Sequence, residues 1–241
     1  MSLTYSSFTT QLSNFLVIPA GDPNLTLAIP SIIDDAEQRA YRDLDLLNTI
    51  YRDSSVVLTA GLRTYAENTS IAGNGPFLVT QELNVITPAG TTNPDLGTRN
   101  PLLPATKEML DFLYPNSTGQ GIPVYYAPIN QNTFILGPWP DQAYTVEAVG
   151  TVRPLPLSAS NTTTLLSVYF PDLFLNAALA IGYGYLKDYG AATDDPKAGV
   201  SWENKYQQQL KSAITEEARK RFQAQGWGAQ STGPEATPPR T

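Results

Sequence analysis

The apolar residues change period twice along this chain, and that double switch constrains the fold more than any single motif does. Near the N-terminus, Phe8, Leu12, Phe15 and Leu16 recur at helical spacing, which predicts an amphipathic helix over residues 4–17. The stretch AGDPN breaks it, with Asp22 placed to cap a second helix and Pro23 at that helix's first position. The second helix is read over residues 24–50. Leu25, Ile29, Ile32, Ala36, Ala40 and Leu47 form one stripe, with Ile33 and Leu44 beside it. Such a helix would be about 40 Å long. Pro30 either kinks it or marks its true start.

The period then falls to two. SVVLTAGLRTY and FLVTQELNVIT, within residues 55–87, are rich in β-branched and aromatic residues and are separated by the turn-forming NTSIAGNGP. Residues 88–101 read as a long polar loop of the kind that is usually functional or disordered. PATKEMLDFLYP, residues 104–115, reads as a short helix opened by Pro104 and stopped by Pro115. Further strands follow in IPVYYAPI, NTFILGPW and AYTVEAVGTVRP. In the last of these, Tyr144, Val146, Ala148 and Val152 are expected on one face, and Thr145, Glu147, Thr151 and Arg153 on a polar one.

After the polar connector LPLSASNTTT the helical period returns. An apolar helix is read over residues 171–189, with Ala178, Gly182 and Gly184 small enough to admit another helix. The GxG within it follows no strand, so it is not a dinucleotide loop. A last helix, residues 197–225, has a narrow apolar seam of Trp202, Tyr206, Leu210, Ala213 and Ile214 and is otherwise polar, which suits a surface or a subunit contact. The fold class is therefore α+β. A helical bundle forms from residues 1–54 and 160–225, residues 55–159 make a β-rich extension with one short helix, and residues 226–241 are a flexible C-terminal tail.

Composition limits the chemistry. With no cysteine and no histidine, thiol nucleophiles, disulfides, Cys/His metal sites and histidine triads are excluded. No cofactor is expected. The net charge of −7 argues against a surface that grips DNA. No run is apolar enough for a signal peptide or a membrane span.

The densest charges lie in and around EQRAYRDLDLLNT. Asp35, Arg39 and Asp43 are spaced four apart and form a ladder along one edge of the apolar stripe. Asp34, Gln38, Arg42 and Asp45 fall on the opposite face. Carboxylates that diverge around a helix read as packing charges, because a glycosidase needs two facing one cleft. Near the other end, ARKRF places Arg219, Lys220 and Arg221 where a helix dipole favours cations, and the same cluster is a candidate docking patch. Trp227, between two glycines, is a candidate anchor on an extended tail.

Taken together, DDAEQRAYRDLDLL, NVITPAG, GTRNPLLPATKEMLDFLYP, GIPVYYAP, FILGPWPDQAYTVEAVGTVRPLPLS, FPDLFLNAAL and WENKYQQQLKSAITEEARKR resemble the head-to-tail adaptor, or connector, proteins of short-tailed bacteriophages. The resemblance runs over most of residues 5–225 and lies in order and wording rather than in a catalytic motif. It implies a structural virion protein and not an enzyme. It also implies a homo-oligomeric ring, a dodecamer, in the neck between head and tail, assembled in the host cytoplasm. The partners implied are the portal protein above and a tail or nozzle protein below, with DNA passing through the channel without sequence-specific binding and with no membrane contact. The C-terminal segment, with Arg219, Lys220, Arg221 and Trp227, is the part expected to dock on the portal. Two alternatives stand beside this reading. One is another phage ring component, such as a tail terminator or a nozzle subunit. The other is a carboxylate-based cell-wall glycan hydrolase built on Asp34, Asp35 and Glu37.

Overall fold

A computed structural model describes residues 2–19, 21–186 and 196–224. It is a mixed α+β structure with two main apolar cores. Helix α1 spans Tyr5–Leu16 and is opened by a capping box in which Thr4 and Ser7 satisfy each other's backbone donors. Helix α2 spans Pro23–Asp43, capped by Asp22, and continues through Pro30. It ends seven residues before the expected boundary at residue 50. The chain turns there so that Leu44 and Leu46 enter the same core as the α2 stripe, which a continued helix would not allow for both. Helices α4 (Leu165–Tyr169), α5 (Pro171–Leu186) and α6 (Pro196–Ala224) follow the strand-rich region. The last residues of the two expected C-terminal helices, 187–189 and 225, and the whole of 226–241 lie outside the described residues.

Phe8, Leu12, Ile32, Ala36, Phe174, Ala178 and Tyr206 share the first core, so α1, α2, α5 and α6 close on one another. Phe8 and Phe174 stack with ring centroids 4.5 Å apart. The packing that small residues permit is seen at Gly182, where an added Cβ would lie 3.3 Å from Leu16. In the α6 seam Tyr206 and Ala213 are buried, whereas Ile214 is 49% exposed and lies off it.

The middle of the chain holds ten strands. β1 (Ile50–Val57), β10 (Thr145–Val152), β3 (Phe77–Thr87) and β4 (Thr98–Pro101) form a first, antiparallel sheet in that order. β2 (Thr64–Ala66), β8 (Thr133–Gly137), β7 (Tyr125–Asn130) and β5 (Leu103–Pro104) form a second. A short pair, β6 (Gln120–Gly121) and β9 (Trp139–Pro140), completes the region. The sheets face each other across the second core, which includes Tyr65, Phe77, Leu83, Phe134 and Val146. Helix α3, Lys107–Leu113, is shorter than the expected 104–115 and covers the far face of the second sheet through Leu110, Ala127 and Ile135. Along β8 the alternation is clean: Phe134 and Leu136 point to the sandwich core and Ile135 to α3.

Two expectations change here. The 88–101 segment is not structureless, since it carries a 3₁₀ turn, Pro94–Leu96, and strand β4. And only part of the polar row of β10 stays open: Thr145 and Glu147 are buried along with Val146 and Ala148, while Thr151 and Arg153 are half-buried. The 88–101 segment folds over that face, and Thr145 Oγ1 donates 2.7 Å to the Thr91 carbonyl. Gly150 lets β3 press against β10, because a Cβ there would stand 2.5 Å from the Val79 carbonyl oxygen.

Candidate functional site

The charged residues singled out by the sequence are joints between elements. On α2, Arg39 turns away from Asp35 and toward α6. Its guanidinium makes two parallel hydrogen bonds to Glu203, at 2.8 and 2.5 Å, and lies 4.2 Å over the Tyr206 ring. The Tyr206 hydroxyl donates 2.6 Å to Asp43, which also stands 3.9 Å from Arg39. The Arg39 hydrogen bonds hold the Glu203 carboxyl below its ordinary range. Of the expected ladder, Arg39 and Asp43 meet. Asp35 is exposed and has no ion-pair partner among the described residues.

The acidic trio separates. Asp34 and Asp35 are exposed, while Glu37 is 2% exposed and faces inward. Glu37 Oε1 accepts the Leu157 N–H at 3.3 Å and the Thr164 hydroxyl at 3.0 Å. Those two donors bracket the connector that returns from β10 to α4. Burial pushes the Glu37 carboxyl up to about 7, against the opposing effect of its two hydrogen bonds. The trio shares no cleft, so the geometry of a two-carboxylate hydrolase is not formed there.

At the far end of α6 the three cations divide. Arg221 pairs with Asp45 at 2.5 Å and donates to that residue's carbonyl. Lys220 bridges Glu216 and the buried Glu217, at 3.0 and 2.7 Å. Glu217 in turn accepts the Leu47 N–H at 3.2 Å, fixing the turn after α2. Only Arg219 of the three is exposed and without an ion pair among the described residues. Trp227 lies outside the described residues.

A further charged centre escaped the sequence reading. The Glu147 side chain, 3% exposed, sits on the outer face of the first sheet between Arg52 at 3.3 Å and Arg99 at 2.8 Å. Asp95 binds the same two arginines, which hold its carboxyl below the ordinary range. Asn84 adds a donor to Glu147 at 3.3 Å. On the far side of the sandwich, Arg63 pairs with Asp111 of α3 and lies 5.3 Å over Trp139.

Arg39, Asp43, Glu37, Lys220, Arg221 and the Glu147 network close on other parts of the same chain, whereas Asp35 and Arg219 make no ion pair among the described residues. Among the described residues no cluster of His, Cys, Asp or Glu could hold a metal, and no helix is long and apolar enough to cross a membrane. The charged side chains join α2 to α6 and the strands of the first sheet to the 88–101 segment. The chain belongs to the SU10 adaptor protein family, whose model matches residues 3–231. That makes it a phage adaptor, in agreement with the resemblance read from the sequence. No curated protein matches the chain.

Proposed function

We propose that the chain is a head-to-tail adaptor whose copies form a ring beneath the portal, join it to the tail or nozzle and extend the DNA channel. The nearly full-length family match carries this reading. In it, residues 1–54 and 160–225 act as a helical bundle and residues 55–159 as an extension, and the two-core packing supports that division. The Glu37 and Arg39–Glu203 joints, which tie α2 to the connector before α4 and to α6, support a bundle that acts as one unit in the ring. The net charge of −7 suits a conduit that DNA passes without being held. The ring is read as dodecameric from the resemblance, and residues 226–241 as the tail that docks on the portal.

The deciding experiment mixes purified chain with filled heads that carry only a portal and images them by electron microscopy. A ring stacked on the portal, with rotational symmetry, is the expected result. Attachment to isolated tails but not to such heads would instead identify a tail terminator or nozzle component.

A further inference from the structure

The outer face of the first sheet has two halves. One is closed by the Glu147, Arg52, Arg99 and Asp95 network. The other opens into a groove of about 370 Å³ between β3, β10 and the turn after α2. Its apolar part includes Val79, 60% exposed, and Leu78, 41% exposed. Its polar part includes Arg42 and Arg153, neither of which makes an ion pair among the described residues. Asp45 also lines it but is taken by Arg221. Two buried donors in its wall, the Tyr41 hydroxyl and Arg153 Nε, have no hydrogen-bond partner. Arg42 and Arg153 leave this half of the face with two cations that no carboxylate among the described residues offsets, so it suits an acidic group supplied from outside.

On the opposite side of the β sandwich the outer face of α3 has the complementary character. Phe112 is 84% exposed and Met109 is 44% exposed. Glu108, one turn before Phe112 on the same face, is exposed and makes no ion pair among the described residues. The second sheet is already covered by this helix within the chain, through Leu110 and Ile135. The open half of the first sheet has no such cover.

We propose that α3 of one copy docks in the first-sheet groove of the next copy, with Phe112 entering the groove and Glu108 meeting Arg42 and Arg153. This rests on the ring reading above and names its subunit contact. The two patches differ and lie on opposite sides of the sandwich, so the contact is head to tail and repeats from copy to copy, as a ring requires. It gives the first sheet the helical layer that the second already has. A carboxylate and an aromatic ring enter a site that offers two cations and apolar walls.

Because the chain has no cysteine, the contact can be trapped by single exposed substitutions. Full-length Phe112→Cys and Val79→Cys chains are mixed and oxidised. The disulfide-linked dimer is expected at roughly tenfold the yield of a control pair, Leu27→Cys with Val79→Cys, in which Leu27 is equally accessible at the surface. A chain with both Phe112→Cys and Val79→Cys is expected to give a ladder of multimers. Glu108→Lys is expected to lower the yield roughly tenfold, and Arg42→Glu with Arg153→Glu to restore it in that background. Yield no greater than the control, or Phe112→Cys linking mainly to itself, overturns the proposed contact. Electron microscopy on filled heads separates the two readings. A ring there without the ladder removes this interface and leaves the ring standing. A ladder whose copies form only open chains confirms the contact and removes the ring.

Discussion

Arg39 and Glu203, 164 positions apart, lock α2 to α6 through two hydrogen bonds of 2.8 and 2.5 Å, with the guanidinium stacked on Tyr206. The pair is partly shielded, with side-chain exposures of 28% and 38%, and Asp43 depends on it through Tyr206. Arg39→Ala removes the partner that Glu203, Tyr206 and Asp43 share. It is expected to lower stability by about 1–3 kcal/mol, the upper part discounted because Glu203 keeps contact with water. Arg42→Ala, which loses only an exposed hydrogen bond to the Gln38 carbonyl, should change stability by less than about 0.5 kcal/mol. Denaturant melts of the two variants make the comparison. Equal midpoints would contradict the joint described here.

Glu37 gives the protein a pH dependence of unusual sign. Its carboxyl titrates near 4.5 in the unfolded chain and near 7 when folded, raised by burial and to a lesser degree by Asp34. Between those values the folded state holds the proton more tightly, so the stabilising contribution is complete below about 4.5 and is lost as pH rises through about 7. Above that, the buried carboxylate costs roughly 3 kcal/mol relative to the neutral form. Glu37→Gln keeps an oxygen for the Leu157 and Thr164 donors without the charge. It should therefore match the parent near pH 5 and exceed it at pH 8. Parallel stability curves across that range would remove Glu37 as the titrating group.

The Glu147 centre makes a third prediction, confined to the β region. Glu147→Ala removes a buried carboxylate that Arg52 and Arg99 share, and is expected to destabilise the β region although both arginines keep Asp95 and contact with water. Asp95→Ala, at a side chain 57% exposed, should cost less than Glu147→Ala. Amide hydrogen exchange can locate the effect. Faster exchange in β3 and β10 with unchanged protection in α5 is expected for Glu147→Ala, and uniform loosening of the whole chain would show that the two cores unfold as one.

These three centres also mark the limit of what the sequence disclosed. Helical spacing placed α1, α2, α5 and α6 because their stripes, from Phe8 and Leu12 to Ile32, Ala36 and Tyr206, are long and periodic. It carried α2 too far because Leu44 and Leu47 continue the helical stripe, while the neighbouring alternation DLDL, which turns Leu44 and Leu46 inward together, is only four residues long. Arg39 was legible as a shielded cation, but its true partner was not, since nothing in the local spacing points to a residue in the last helix. Glu147 was placed only on a polar face, because strand alternation says which face a side chain takes and not whether a loop will cover that face. Glu37 stood out only as one of three acids, and its burial depends on a connector more than 100 residues later.

The C-terminal region separates stability from docking. Of Arg219, Lys220 and Arg221, the last two are held by Glu216, Glu217 and Asp45. Lys220→Ala and Arg221→Ala are therefore expected to loosen the α6 end, by about 0.5–2 kcal/mol each, because Glu217 is buried and Asp45 is exposed. Arg219→Ala should leave the melting curve unchanged and act, if the portal-docking proposal holds, on the rate of encounter with filled heads, an effect that raised salt removes. Beyond α6 the sequence has glycine at 226, 228 and 233 and proline at 234, 238 and 239, which suits an extended segment better than a helix. Trp227 is its one aromatic, and a buried aromatic contributes about 2–3 kcal/mol. A chain ending at Phe222 retains the Lys220 and Arg221 joints, so it should fold as the full chain does and bind heads more weakly. Trp227→Ala should reproduce most of that loss. Titrating each variant against filled heads, with a melting curve beside every titration, keeps the two effects apart. Equal affinity of the truncated and full chains would move the portal contact off the tail and onto the helical region.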